Sequence, residues 1–507
     1  MTDLDRATTV RRPAADPLGR VLDGTAPVFA LLHRPEAADP HALEVLLGET
    51  TTCATLADLP LSEEPAAGPA GRHELLALVP YRQLAERGFD VHDDGTPLVA
   101  LRVAEQQTLP LSAALARLPN EPVKVDRGGF DLDDEEYARI VRRVVDEEIG
   151  GGEGANFVIK RSFTAWLPGF SAVGALSFFR RLLERETGAY WTFLVHTGDR
   201  VLLGATPERH VSVRDGTAVM NPISGTYRYP PGGPTLDGVL SFLTDRKETD
   251  ELYMVVDEEL KMMARICRAG GRLSGPYLKE MARLAHTEYV IRGRTDRDVR
   301  EVLRETMFAP TVTGSPLENA ARVISRHEPS GRGYYSGVAA LVGRDAAGAR
   351  TLDSSILIRT ADVSADGRLR IGVGATLVRH SDPESEARET RAKASGLLAA
   401  LGEPLPTRFA AHPDVRAALA ARNRGIGDFW LDEPRAQDRE AGALAGRRLL
   451  MVDAEDTFTA MMAHQIRSLG VAVDLRRFDE EHDPAEYDLV VMGPGPGDPR
   501  EGRDGRV

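Results

Sequence analysis

Cysteine is almost missing from this sequence. Its 507 residues hold two, Cys53 and Cys267, which excludes a disulfide framework and a thiolate zinc site. Positive charge is also scarce. Lysine and arginine number 63 against 77 aspartates and glutamates, a net charge of −14. Nucleic-acid binding needs a basic stripe to replace counterions, so no nucleic-acid partner is expected. Long apolar runs are lacking too. None reaches the roughly 20 residues that span a bilayer, and the opening MTDLDRATTVRR has no apolar leader segment. A cytoplasmic protein without a membrane partner is the expectation. The 42% hydrophobic content suffices for real cores, and the length allows two to four domains.

Residues 1–120 mix short apolar runs (PVFALLH, HELLALVPY, PLVALRV) with proline and glycine breaks and read as strands with a few helices. Asp133 can cap a helix together with Glu136, and Tyr137, Ile140, Val141, Val144 and Val145 form its apolar stripe. A strand from Asn156 to Arg161 follows. Residues 190–230 read as a meander with turns at Thr197-Gly198-Asp199 and Arg214-Asp215-Gly216. Helices are expected over 245–269 and 384–401. The stretch GRGYYSG (331–337) and segments near 336–342, 353–360 and 369–378 read as further strands. Strands alternating with helical blocks predict an α+β or mixed α/β fold. Residues 402–445 form an Ala/Arg-rich connector. RRLLMVDA, FTAMMAHQIRSLG, VAVDLRRF and DLVVMGP then open a parallel βαβ sheet, too short to complete a doubly wound domain. The expected organisation is an N-terminal part (1–120), a catalytic part (121–401), a linker (402–445) and a second unit (446–507).

Two helices carry acids where apolar residues belong. In TDRKETDELYMVVDEELKMM, Leu252, Val255, Val256, Leu260 and Met263 form a buried stripe. One turn back along it stand Glu248 and Glu251, at i and i+3. In DPESEARETRAKASGLLAAL, Pro383 suits the first helical position, and Glu386, Glu389 and Lys393 fall on the line continuing to Leu397 and Ala400. Carboxylates sharing an inward stripe repel and lose hydration unless a cation compensates them. Two such pairs can hold one hard cation through oxygen, and without His or Cys nearby magnesium is favoured over zinc. The alternative is a pair of solvated faces, with acids in first turns favoured by the helix dipole.

With their neighbours, these stretches resemble the chorismate-utilising enzymes, which make anthranilate, aminodeoxychorismate, isochorismate and salicylate. The matching pieces are GATPERH (204–210), NPISGT (221–226), DRKETDE (245–251), TVTGSP (311–316), GRGYYSGVAAL (331–341), DSSILIRT (353–360) and GVGATLVRHSDPESEARETRAKA (372–394). They cover roughly residues 120–400. MVDAEDTFT and MGPGPGDP resemble the start of a class I glutamine amidotransferase. The combined layout is most similar to phenazine-type 2-amino-2-deoxyisochorismate synthases. The resemblance implies a two-layer β-sandwich with surrounding helices, followed by an incomplete flavodoxin-like parallel unit. It implies Mg²⁺ among Glu248, Glu251, Glu386 and Glu389, clamping the ring carboxylate of chorismate. It makes Arg359 and Lys393 the substrate-carboxylate partners and Glu208 the general acid at the C4 hydroxyl. Ser224, Gly225, Thr226, Gly374 and Ala375 become parts of the substrate wall. A homodimer is the expected assembly.

The nucleophile follows from departures within the motifs. Family members that add water use a lysine base where this chain has Asn156, and an amide takes no proton from water. Ammonia needs no such base. Lys160 shares a strand face with Asn156. Members that aminate C4 carry a lysine where Ser224 stands here, so ammonia is expected to add directly at C2. Anthranilate synthases carry a histidine in a Met-His-Ile/Leu-Val-Ser stretch. LAHTEYVIRG sets Tyr289 at that position and His286 three residues earlier, so the proton acceptor for pyruvate elimination is expected to be missing. The expected product is 2-amino-2-deoxyisochorismate. The alternatives are anthranilate, with pyruvate lost, and a non-catalytic partner of an amidotransferase. In the tail, Gly493, Pro494 and Gly495 resemble an oxyanion loop, but no cysteine lies beyond position 267. The tail reads as a truncated amidotransferase domain unable to hydrolyse glutamine, with ammonia coming free or from a separate subunit.

Overall fold

The computed structural model describes residues 16–399 and 413–494, except 38, 63–70, 187, 231, 282–283, 424–425, 427–429, 431–443, 445 and 455–457. For 246–251 and 399 it describes backbone but not side chains. Eighteen of the described strands join in one hydrogen-bonded network. Its layering follows from strands that are apolar on both faces. In the strand Arg72–Val79, Leu75, Ala77 and Val79 enter one core while Leu76 and Leu78 enter another. In Phe29–His33, Leu31 faces a third core, and Ala30 and Leu32 share the second. The second core, around Trp191 and Phe193, is therefore the filling between two layers, and the outer two carry the helices. This is the expected sandwich.

Local signals worked where spacing is short. Asp133 caps Asp134–Arg143 by accepting from the Glu136 amide at 2.8 Å, and Glu136 reciprocates. The five stripe residues of Arg246–Ile266, from Leu252 to Met263, are all buried. The meander runs through strands ending in Ile223–Arg228, with Gly198 and Gly216 in left-handed turns. GRGYYSG is a correction. It is a turn, with Gly333 at φ 58° and Ser336 at φ 65°, a backbone no strand accommodates, and the next strand starts at Val338.

Two elements frame the site. The strand Asn156–Trp166 runs on beyond the expected Arg161 and pairs with Arg368–Leu377, setting Thr376 opposite Val158 and Gly374 opposite Lys160. The helix Pro383–Ala399 follows that second strand. Downstream, Pro413–Arg422 buries Val415 and Leu419 against Val239, Phe242 and Leu243 of the helix Leu236–Thr244. In the last unit, Arg448–Asp453 lies between Ala472–Arg477 and Leu489–Met492, all parallel. That is the order in which a flavodoxin-like sheet begins. Its helix Phe458–Arg467 packs on Arg246–Ile266, and the His464 ring pairs with the Ala264 carbonyl oxygen at 2.9 Å.

Candidate active site

Strand alternation builds one wall of a cavity. Gly372, Gly374 and Thr376 face inward beside Val158, around about 590 Å³ of empty space partly open to solvent. Ala375, expected in the wall, points to the other side and is fully buried in the core. The glycines make room for an aromatic ring. A Cβ on Gly372 would stand 2.6 Å from Cγ of Tyr335, and one on Gly374 would stand 2.5 Å from its hydroxyl oxygen. Tyr335 is thereby a wall residue; the sequence had marked its motif, GRGYYSGVAAL, but not this side chain. Thr311 is another.

Glu208 enters from the turn after Arg200–Thr206 and lines the cavity. Its side chain is sealed from solvent, with the Ile223 amide 3.5 Å from Oε1. Burial is the main cause that pushes its carboxyl up to about 8, against the pull of Thr311, the Ile223 amide and Lys279. It is thus a neutral acid near pH 7, able to give a proton. The buried Glu259 is driven well above the ordinary carboxylate range, by burial first and then by the charge of Glu208.

Opposite stands an irregular strand. Ile223–Arg228 pairs with Leu284–Arg294, and the register shifts between Ser224 and Tyr227. Gly225 sits there at φ 68°, a left-handed conformation that favours glycine. Ser224, Gly225 and Thr226 all line the cavity. Side chains hold this bulge. Nδ1 of His286 lies 2.6 Å from the Gly225 carbonyl oxygen, so it carries the proton, and Thr287 Oγ1 donates to the Ser224 carbonyl at 2.9 Å.

His286 corrects the expectation of a missing imidazole, because its ring lines the cavity. The imidazole is present but occupied. Its second nitrogen accepts from Arg359 Nη2 at 3.3 Å. Burial, then the Arg359 charge, pushes its pKa down to about 3. Tyr289 is on the opposite face of the same strand, buried, with its hydroxyl donating to Asn423 Oδ1 at 2.7 Å. It does not reach the cavity.

The charged groups converge from three directions. Arg359 lies at φ 51°, a strained conformation for a side chain of this size and one that clusters at functional sites. Lys393 donates to Glu389 at 2.7 Å and to the Gly374 carbonyl at 2.9 Å, and Arg228 donates to Glu389 at 2.8 Å. Arg359, Lys393 and Glu389 line the cavity. Glu386, one turn earlier, is 1% exposed. Glu386 and Glu389 offer carboxylate oxygens of the kind a hard divalent cation takes, but among the described residues no cluster of three or more potential metal ligands forms. The side chains of Glu248 and Glu251 lie outside the described residues, and so does Gly495. Gly493 donates to the Val452 carbonyl at 2.7 Å and leaves no room for a Cβ beside Thr459, and Pro494 is exposed beside it.

Asn156 is fully buried where its strand pairs with Ser315, and neither polar atom of its amide has a hydrogen-bond partner among the described residues. It sits two residues from Val158, off the cavity wall. Lys160, two residues beyond Val158, is also off the wall. Its amine donates to the Gly331 carbonyl at 3.4 Å and is pushed down by burial.

Residues 90–399 match the family model described as "chorismate binding enzyme", and residues 450–506 match "Glutamine amidotransferase class-I". Two proteins called "Anthranilate synthase, phenazine specific", from Pseudomonas chlororaphis and Pseudomonas fluorescens, are each 58% identical over 488 residues. Those residues are 96% of this chain and 76% of each relative. Among solved structures, the menaquinone-specific isochorismate synthase from Escherichia coli superposes with a TM-score of 0.60. The match covers 77% of this chain and 92% of that one, at 19% identity, a likeness of fold.

Proposed function

This chain belongs to the chorismate-binding enzymes, and from that premise we propose that it aminates chorismate at C2 to give 2-amino-2-deoxyisochorismate, retaining the enolpyruvyl group, for secondary metabolism such as phenazine formation. One observation carries the proposal: a single cavity joins the protonated Glu208 to Arg359, Lys393 and Glu389. An acid facing cations suits a substrate that is a dicarboxylate with a hydroxyl leaving group.

Arg359 and Lys393 orient the carboxylates, the former with a planar fork. Glu208 protonates the C4 hydroxyl, which departs as water while ammonia forms the C2–N bond and the ring double bonds shift. The new ammonium then gives up a proton, so chorismate and ammonia balance with product and water. Glu386 and Glu389, with Glu248 and Glu251, would hold Mg²⁺, which supplies positive charge opposite the ring carboxylate. Ser224 offers no amine for a covalent intermediate. Retention of the side chain is supported by the state of His286. Pyruvate elimination requires a base at the C2 proton, and an imidazole whose free nitrogen already accepts from Arg359 is a poor one. On this reading the chain works in the cytoplasm as a homodimer, with ammonia free or glutamine-derived through an amidotransferase domain or subunit. None of the described helices is long and apolar enough to cross a membrane.

The test is mass spectrometry and fluorescence of the product from chorismate, Mg²⁺ and an ammonium salt. A non-fluorescent amino acid retaining the side chain is expected. Fluorescent anthranilate would replace the proposal with the eliminating reaction, and no turnover by a folded chain would leave a non-catalytic partner.

A further inference from the structure

Between the two matched families, residues 400–449 belong to neither, yet this stretch sends a buried arginine into the synthase. Arg422, the last residue of Pro413–Arg422, is 4% exposed. Among the described residues, its guanidinium donates toward two places. Nε donates to the Leu243 carbonyl at 3.2 Å, and Nη2 to the carbonyls of Leu243 and Phe242 at 3.1 and 3.3 Å. These carbonyls lie in the last turn of Leu236–Thr244, where C-terminal carbonyls lack partners within the helix and a cation is favoured. After one intervening residue, Asp245, the helix bearing Glu248 and Glu251 begins. Nη1 takes the second target, Thr287 Oγ1, at 3.2 Å.

Thr287 connects this arginine to the cavity. It is fully buried, and its hydroxyl donates a hydrogen bond to the Ser224 carbonyl at 2.9 Å. It is also the strand partner of Ser224, at the edge of the register shift. A bulge leaves backbone groups without ladder partners, so side chains must fix it. The relay Arg422–Thr287–Ser224 fixes the wall at Ser224, and the next link, Gly225 to His286, sets the imidazole against Arg359. The connector is tied down beside this relay as well. The Tyr253 hydroxyl donates to the Arg422 carbonyl at 2.5 Å, and Asn423 Nδ2 donates to the Gly275 carbonyl at 2.7 Å.

We propose that Arg422 is a positioning residue of the synthase cavity, acting through Thr287 on the Ser224–Thr226 wall, so that the connector is a working part of the site. The inference rests on the amination reading for its kinetic effect but not for its structural one. Full-length Arg422→Lys, Thr287→Val and the double variant are compared with Arg416→Ala, an exposed arginine on the same helix. Chorismate turnover with ammonium is one measurement, and hydrogen exchange of the peptide over 222–229 is the other. Arg422→Lys keeps the charge but loses the fork, and is expected to lower kcat about tenfold, equivalent to losing about one good hydrogen bond. Thr287→Val should do the same, the double variant should be no worse than the poorer single, and Arg416→Ala should match the parent. Exchange at 222–229 should quicken in the first three only. Unchanged turnover and exchange in Arg422→Lys, or effects of the two singles that simply multiply, would overturn the proposal. If the parent itself makes no amino product, the amination reading fails, and exchange alone decides the role of Arg422.

Discussion

Replacing Glu208 by glutamine separates what this residue does for chemistry from what it costs the fold. Unfolded, the carboxyl titrates near 4.5; folded, near 8. The difference is about 3.5 pH units, and at about 1.36 kcal/mol each the folded state disfavours the charged form by about 5 kcal/mol. The sign follows from proton counting. Between pH 4.5 and 8 the folded chain holds a proton that the unfolded chain has released. Stability therefore falls as pH rises through that window and levels off above it. At pH 7 about 2.5 of those units apply, a cost of about 3 kcal/mol. Glutamine has the same shape and no charge to lose. Glu208→Gln should thus equal the parent near pH 4, exceed it by about 3 kcal/mol at pH 7 and by about 5 kcal/mol above pH 8. Urea unfolding at a series of pH values measures this. Turnover should move the other way. The variant should lose about 10²- to 10⁴-fold in kcat, and the parent's kcat should decline as pH rises past 8, with free-base ammonia held constant. A stability difference that stays flat from pH 5 to 8 would refute the buried neutral acid.

Glu386→Gln is expected to raise the Mg²⁺ concentration needed for half-maximal turnover at least about tenfold, because one charged oxygen donor is lost; a titration of rate against Mg²⁺ checks it. Gly374→Ala sets a methyl 2.5 Å from the Tyr335 hydroxyl oxygen, so a ring that lines the cavity must shift. A rise in KM for chorismate and a loss of about 1–3 kcal/mol in unfolding free energy are expected. Asn156→Lys buries an amine where desolvation favours its neutral form, the form that takes a proton from water. Some isochorismate should appear by chromatography, and its absence would detach this position from the base role.

Sequence by itself determined what depends on neighbours a few residues apart. The stripe from Leu252 to Met263, the Asp133–Glu136 cap, the inward line of Glu386 and Glu389 and the parallel opening of the last unit were all legible, because helix and strand periods translate spacing directly into facing. Glu208 and Arg359 were legible only as members of recognisable motifs. Tertiary structure decided the rest. Whether His286 or Tyr289 faces the cavity turns on strand register, where a slip of one residue reverses every side chain, and the two residues are three apart. Tyr335 became a wall only because Gly372 and Gly374, some forty residues on, leave space for its ring. The locking of His286 by Arg359, and the reach of Arg422 to Thr287 across 135 positions, join side chains whose separation along the chain carries no periodic signal. Such contacts exist only once the sheets have packed and a bulge has opened between Ser224 and Tyr227.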